Sequence, residues 1–232
     1  MGIWLLCYGI EAADQPSYLE WFHSIHMPEK RAREDYEYAA HYLVDEQAGA
    51  APVASQTVSP AGSSMSRYIA LFCSQSSRTF FDPSPAELKP RQDELTRRMI
   101  GYRQAAVSVI ATVDWSARQQ QTDKPGYPVG EAMALHSFER PADEQLLGAW
   151  CAQDYMPAQI AVSGCNEIYK LITSAGQPRH WMMEDFTTIA AARSAFTRAA
   201  DDGTGALAGE RGTALTADDS YQLRVARRIH AC

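Results

Sequence analysis

The sequence predicts an α+β fold, two tandem ferredoxin-like (βαββαβ) units in one chain. The chief observation is an internal repeat. Residues 3–32 and 132–161 align without a gap, at a constant offset of 129 in the numbering. Leu6 falls on Leu135, Asp14 on Asp143, Trp21 on Trp150, Met27 on Met156 and Pro28 on Pro157. A repeated unit of this kind constrains the architecture of the whole chain. The second observation is that the order of strand-like and helix-like segments after each copy also recurs. The third is an apolar content of 46%, enough for a sizeable core.

In the first unit, residues 2–10 are a short apolar run of strand length. Asp14 is a plausible N-cap, and Pro16 is tolerated in a first helical turn. From Ser17 to about Arg33 the apolar residues Tyr18, Trp21, Phe22 and Ile25 recur at spacings of three and four, the mark of one buried helix face. Pro28 is expected to kink or break that helix. Residues 35–44 are aromatic and alternating, as in a strand. One face would carry Tyr36, Tyr38, Ala40 and Tyr42, and the other Glu37, Ala39, His41 and Leu43. Residues 45–65 are rich in Ala, Ser, Gly and Pro and read as a long loop. A strand over 67–74, a helix over 85–103 and a strand over 105–113 complete the βαββαβ order.

Residues 116–128 are polar and carry Pro and Gly, as linkers do. The units are therefore read as 1–115 and 129–232, with 116–128 between them. The second unit repeats the order: strand 131–138, helix 143–162, strands 166–174 and 179–186, helix 187–200 and strand 221–229. Arg67 matches Arg179 at an offset of only 112, against 129 for the helices before them. The first unit is therefore longer by the difference, 129 − 112 = 17, between its second and third strands. That extra length is expected to border a ligand cleft.

The formal net charge is −7, with no basic run. Such a chain is a poor candidate for nucleic acid or an anionic membrane. The longest apolar stretches are strand-sized, so no transmembrane helix is expected. The N-terminal segment lacks a basic n-region and is needed as the first strand, which argues against a signal peptide. Cys7, Cys73, Cys151, Cys165 and Cys232 are odd in number, widely spaced and free of CxxC. Reduced thiols and a cytoplasmic location fit best.

Residues shared by the two copies are expected to hold the fold, and unshared polar ones to carry chemistry. The first copy has His23 and His26 where the second has Ala152 and Tyr155. A neutral imidazole in a semi-apolar cleft can exchange a proton near pH 7. His26 could equally bond the backbone near Pro28. His23 shares a helix face with His26. With His41 or Glu37 the pair could reach a metal, but no tighter ligand pattern exists and none is expected. His41 lies in a Tyr-rich strand, either in a cleft or on a solvated face, and its counterpart at the same spacing is Lys170. Tyr36 and Tyr38 are potential donors to a developing enolate or phenolate, although strands favour Tyr in any case. His136, Tyr155 and Lys170, near Glu167, form a second candidate group. Trp181, Met182 and Met183 read as core. Arg224, Arg227 and Arg228 could meet a carboxylate or simply edge the sheet.

The run Trp21-Phe22-x-x-x-His26-Met27-Pro28-Glu29 after a strand resembles the dimeric α+β barrel superfamily, nearest its EthD-like and methylmuconolactone-isomerase-like branch. The topology of both halves shares the resemblance, whereas the motif is degraded in the second. It implies two ferredoxin-like sheets joined into one barrel, here within one chain, with a homodimer on top of it allowed. It also implies mostly cofactor-free chemistry on small, often aromatic molecules, though haem enzymes share the fold. The expected function is a cofactor-independent lyase or isomerase. It would decarboxylate, cyclise, eliminate or isomerise a small hydrophobic, aromatic carbonyl or carboxylate compound. His26 would be the general acid/base, assisted by His41 and Tyr38, with His23, Trp21, Phe22 and Tyr36 binding substrate. The alternatives are a monooxygenase or haem-binding barrel enzyme, and a barrel that binds ligand without turnover.

Overall fold

The computed structural model describes residues 1–45, 65–118, 126–139, 141, 143–201 and 221–232. Eight antiparallel strands close into one barrel. They are β1 (Gly2–Glu11), β2 (Tyr38–Val44), β3 (Met65–Ser74), β4 (Gln104–Arg118), β5 (Ala132–Phe138), β6 (Cys165–Ala175), β7 (His180–Phe186) and β8 (Tyr221–Ala231). The order around the barrel is β1-β3-β2-β8-β5-β7-β6-β4. Each half contributes four neighbours, β4-β1-β3-β2 and β8-β5-β7-β6. The seams are β2 against β8 and β4 against β6. The chain is thus an α+β barrel of tandem βαββαβ units.

The first helix is α1 (Gln15–Trp21), a π turn over Phe22–His26, and α2 (Met27–Arg31). The expected irregularity near Pro28 takes this form because proline has no N–H to continue the ladder. The Met27 N–H reaches back to the carbonyl of Phe22 instead. The second half repeats the arrangement at the same offset. There α5 (Glu144–Trp150) leads through a π turn over Cys151–Tyr155 to α6 (Met156–Ile160), and Met156 N–H bonds Cys151 O. π turns of this kind recur at functional sites. The helix read over 85–103 is instead α3 (Pro85–Leu88), a 3₁₀ turn over Lys89–Arg91 and α4 (Glu94–Gly101). The break falls where Gln92 is extended and Asp93 caps a new start by accepting from Thr96 N at 2.7 Å. In the second half α7 (Ile189–Asp201) crosses the same face unbroken.

Two further boundaries differ from the sequence reading. Asp35 has a positive φ of 64° and Tyr36 closes a turn onto Arg33 O, so β2 starts at Tyr38. The strand β4 runs to Arg118, into what reads as linker, because it serves two partners. Its Gln104–Thr112 part pairs with β1 and its Ile110–Arg118 part with β6. Residues 46–64, nearly all of the long loop, and 119–125 of the linker lie outside the described residues.

Strand alternation sorts the core into three apolar layers. The barrel interior is filled by Ile3, Leu5, Tyr42, Leu71, Leu135, Trp181 and Met183 among others. Outside, Trp4, Leu6, Tyr8 and Ile10 meet Tyr18, Trp21, Phe22 and Met27. On the opposite side, Ala134 and Phe138 meet Trp150, Tyr155 and Phe196. The ungapped alignment fails here by one residue. Leu6 faces the helices and Leu135 the barrel interior. A one-residue slip moves a side chain to the other face of a sheet. The pairing registers give the true match. Leu6 stands opposite Ala70 as His136 stands opposite Met182, and Trp4 opposite Phe72 as Ala134 opposite Glu184. Ala39 opposite Phe72 and Ile168 opposite Glu184 agree. His136 thus takes the place of Leu6, not of Cys7, and Glu184 that of Phe72.

All five cysteines are free thiols, and only Cys232 is exposed. Among the described residues no helix is long and apolar enough to cross a membrane.

Candidate functional site

The π turn and α2 present His26 and Lys30 on one helix face, four positions apart. Both line a cleft of about 70 Å³ with Trp4, Leu6, Phe72, Pro85, Leu88, Gln92, Ile100 and Arg103. Strand residues form its floor, and the broken α3–α4 segment forms its outer wall. His26 packs against Trp21 at 4.5 Å and Phe22 at 5.6 Å between ring centroids. Its Nδ1 is sealed from solvent without a hydrogen-bond partner, which leaves Nε2 to the cleft.

The charged lining is all cationic. Lys30 is only 6% exposed and its ammonium lies 5.0 Å from the Trp4 ring. Arg103 donates through Nε to Tyr18 Oη at 2.8 Å, while its Nη2 is buried without a partner. Among the described residues, Lys30, Arg33 and Arg103 form no ion pair with a carboxylate. Burial, then Arg103, Lys30 and Arg33, push the His26 imidazole down to about 2. Burial, then Arg33 and Arg103, push the Lys30 amine down to about 8. At pH 7 the cleft therefore holds a neutral imidazole among positive charges.

The other histidines form a separate chain behind Phe22. His23 Nε2 and His41 Nδ1 are 2.8 Å apart, and His41 Nε2 lies 2.9 Å from Tyr8 Oη. The Tyr8 ring meets the Tyr18 ring edge-on at 5.7 Å, and Tyr18 accepts from Arg103. His230, from β8, stacks on His23 at 4.4 Å. Burial and then His230 lower His23 to about 4, and burial and then His23 hold His41 well below the ordinary histidine value. His41 is thus fully buried and engaged on both ring nitrogens.

The expected set is partly dispersed. Trp21, Phe22 and His26 are together, and Phe22 separates them from His23 and His41. Tyr38 points to the barrel-interior side, stacked on Tyr127 at 5.9 Å, because strand alternation puts it opposite His41. Tyr36 lies before β2 in the turn and packs on Phe72 and Phe80, so it shares the helix-side layer. Neither tyrosine contacts a histidine through an interaction the structure records.

The second half divides its candidates in two. His136 and Tyr155 join a buried network centred on Glu184. Glu184 Oε1 lies 2.8 Å from His136 Nε2 and accepts from Tyr155 Oη, while Oε2 accepts from Gln159 Nε2 at 2.7 Å. His136 Nδ1 meets Tyr221 Oη at 2.8 Å. Lys170 stands apart, with Nζ 3.0 Å from His180 Nδ1 and 5.9 Å from the Trp115 ring. Glu167 pairs with Arg118 instead.

Lys30, Arg103, Tyr8, Glu184 and Gln159 were not singled out by sequence reasoning. The i+4 spacing from His26 and the change to Gln159 in the other copy could have shown Lys30. Nothing local marks Arg103.

Among the described residues no group of three or more His, Cys, Asp or Glu is placed to hold a metal ion. Neither His26 nor His41 is placed to hold a haem. His41 has both nitrogens engaged, and His26 faces a cleft far below the roughly 300 Å³ at which cofactor-sized pockets begin.

No protein-family model matches the chain, and no curated protein matches it. Solved structures do. A presumed monooxygenase from Fusobacterium nucleatum subsp. nucleatum ATCC 25586 superposes with a TM-score of 0.52 at 8% identity, over 99% of this chain and 93% of that one. An anthrone oxidase-like protein gives 0.50 at 12% identity, over 100% and 92%. At such identities the likeness is one of fold: this chain has an eight-stranded α+β barrel like those structures, built from its own two halves.

Proposed function

We propose that the chain is a cofactor-independent oxidase or monooxygenase acting on small aromatic ketones or phenols with an acidic C–H bond. The observation that carries this reading is the His26 cleft: an unpartnered neutral imidazole among cations that lack carboxylates. Such a lining favours charge that develops as an oxyanion. The names of the two structural neighbours lean the same way, towards oxygen chemistry rather than the lyase or isomerase expected from sequence.

A buried ring nitrogen without a partner is least costly as a lone pair, so the proton sits on Nε2, facing the cleft. His26 then acts as a neutral hydrogen-bond donor to the substrate oxygen rather than as the base. Lys30, lowered towards 8, suits the base. Its neutral amine takes a proton from carbon, and the electron pair moves onto the oxygen held by His26 and Arg103. The resulting anion reduces dioxygen. It forms a carbon–oxygen bond, takes the proton back as a hydroperoxide, and loses water to leave a ketone. A CH₂ group and O₂ thereby give C=O and H₂O. The cleft holds the oxygen-bearing edge of the substrate, because about 70 Å³ is too little for a whole fused-ring molecule.

The test is oxygen uptake with 1,8-dihydroxyanthrone as probe, measured against its autoxidation. One O₂ consumed per ketone formed, lost in His26→Ala, supports the reading. Turnover of a carbonyl substrate without oxygen uptake returns the lyase or isomerase reading. Binding without any turnover leaves a ligand-binding barrel.

A further inference from the structure

We propose that the His26 cleft binds a planar anion whose charge is shared by two oxygens, and that Glu184 is the built-in copy of that ligand in the second half. This rests on reading the His26 cleft as the substrate site, but on nothing about oxygen.

The argument is a comparison of the protein with itself. The helices match at an offset of 129, so Tyr155 replaces His26 and Gln159 replaces Lys30. The sheet registers put Glu184 where Phe72 lines the first cleft, and His136 where Leu6 does. In the second half the two helix positions converge on one carboxylate. Tyr155 donates to Oε1 and Gln159 to Oε2. Glu184 is fully buried and its oxygens are satisfied. In the first half the same two positions carry His26 and Lys30, and the strand residue facing them is Phe72, which offers no acceptor. Lys30 and Arg103 are left without the kind of anion that Gln159, the counterpart of Lys30, meets inside the chain. A buried cation without a partner is costly, so the complement of this set is an external anion. Glu184 gives its pose: one oxygen toward His26, the other toward Lys30. A carboxylate or the enolate of a 1,3-dioxygenated ring carries two such oxygens, whereas a neutral amide does not.

The experiment follows the indole N–H signals of Trp4 and Trp21 in wild-type protein titrated with benzoate, 1,3-cyclohexanedione at pH 8 (its enolate form) or neutral benzamide. At least one of the two anions should bind, ten-fold or more tighter than benzamide. Phe72→Glu, which installs the second half's own carboxylate, should abolish anion binding and leave the cleft filled. Lys30→Gln, which installs the second half's residue, should weaken binding at least ten-fold and serves if Phe72→Glu does not fold. Benzoate against cyclohexanedione separates carboxylate from enolate. Equal binding of benzamide, no binding of either anion, or anion binding unchanged in both variants overturns the proposal. The titration needs no oxygen and no turnover. Anion binding without oxygen uptake would sink the oxidase reading alone, and oxygen uptake with no cleft-dependent anion binding would sink this one alone.

Discussion

Gln159 donates to the Glu184 carboxylate at 2.7 Å from the position that Lys30 holds in the first half. One repeat therefore ends in a closed hydrogen-bonded network around a buried carboxylate, and the other in an open cationic cleft. The same backbone thus carries a structural element on one side and a candidate reactive one on the other.

The closed network should be worth much to stability. Glu184→Ala strands Tyr155, His136 and Gln159 in a dry interior. Leaving a buried donor or acceptor unsatisfied typically costs about 1–3 kcal/mol. Urea unfolding should show a loss of that size, with Glu184→Gln milder because it keeps one acceptor.

The two helix positions should respond differently in turnover. His26→Ala should lower kcat by roughly 10²–10³, the usual effect of removing one oxyanion donor. Tyr155→Phe should leave kcat near the wild-type value while lowering stability. Steady-state oxygen uptake beside thermal unfolding checks both. Equal effects of the two changes on kcat would mean that His26 only packs.

Acid should destabilise the protein through His26. The unfolded chain binds a proton near 6.5, and the folded chain holds this imidazole unprotonated down to about 2. The stability is complete above 6.5 and is lost as pH falls towards 2. Each such group contributes about 1.4 kcal/mol per pH unit in that window. His23 and His41 are shifted in the same direction and add to the slope. Urea midpoints between pH 6 and 4 should therefore fall steeply in wild type. They should fall less steeply, by one proton's worth, in His26→Leu.

If Lys30 is the base, kcat/KM should rise with pH and level off above about 8, where its amine becomes neutral. Lys30→Arg stays charged at every working pH. It should remove that limb and most of the activity. A pH–rate profile that keeps the limb in Lys30→Arg would assign it to another group.

The sequence by itself determined the repeat, the order of elements and hence the fold, because apolar spacing and turn residues are local signals. The Trp21 and Trp150 helices, the break before Pro28 and Pro157, and the histidines of the first half were all legible there. What the strands do to their side chains was not. Strand β1 is buried on both faces, so its apolar run has no alternation to reveal that Leu6 and Leu135 face opposite ways. The 112 offset that puts Arg67 on Arg179 also puts Phe72 on Glu184, but only the pairing registers show which β1 and β5 residues stand beside them. Alternation already put Tyr38 and His41 on opposite faces, whereas the turn before β2 that carries Tyr36 to the helix side was not legible. Arg103 lies far along the chain from His26 and reaches its cleft because β4 pairs with β1. Such long-range hydrogen-bonded registers decide which charges share a cleft, and no local spacing in the chain encodes them.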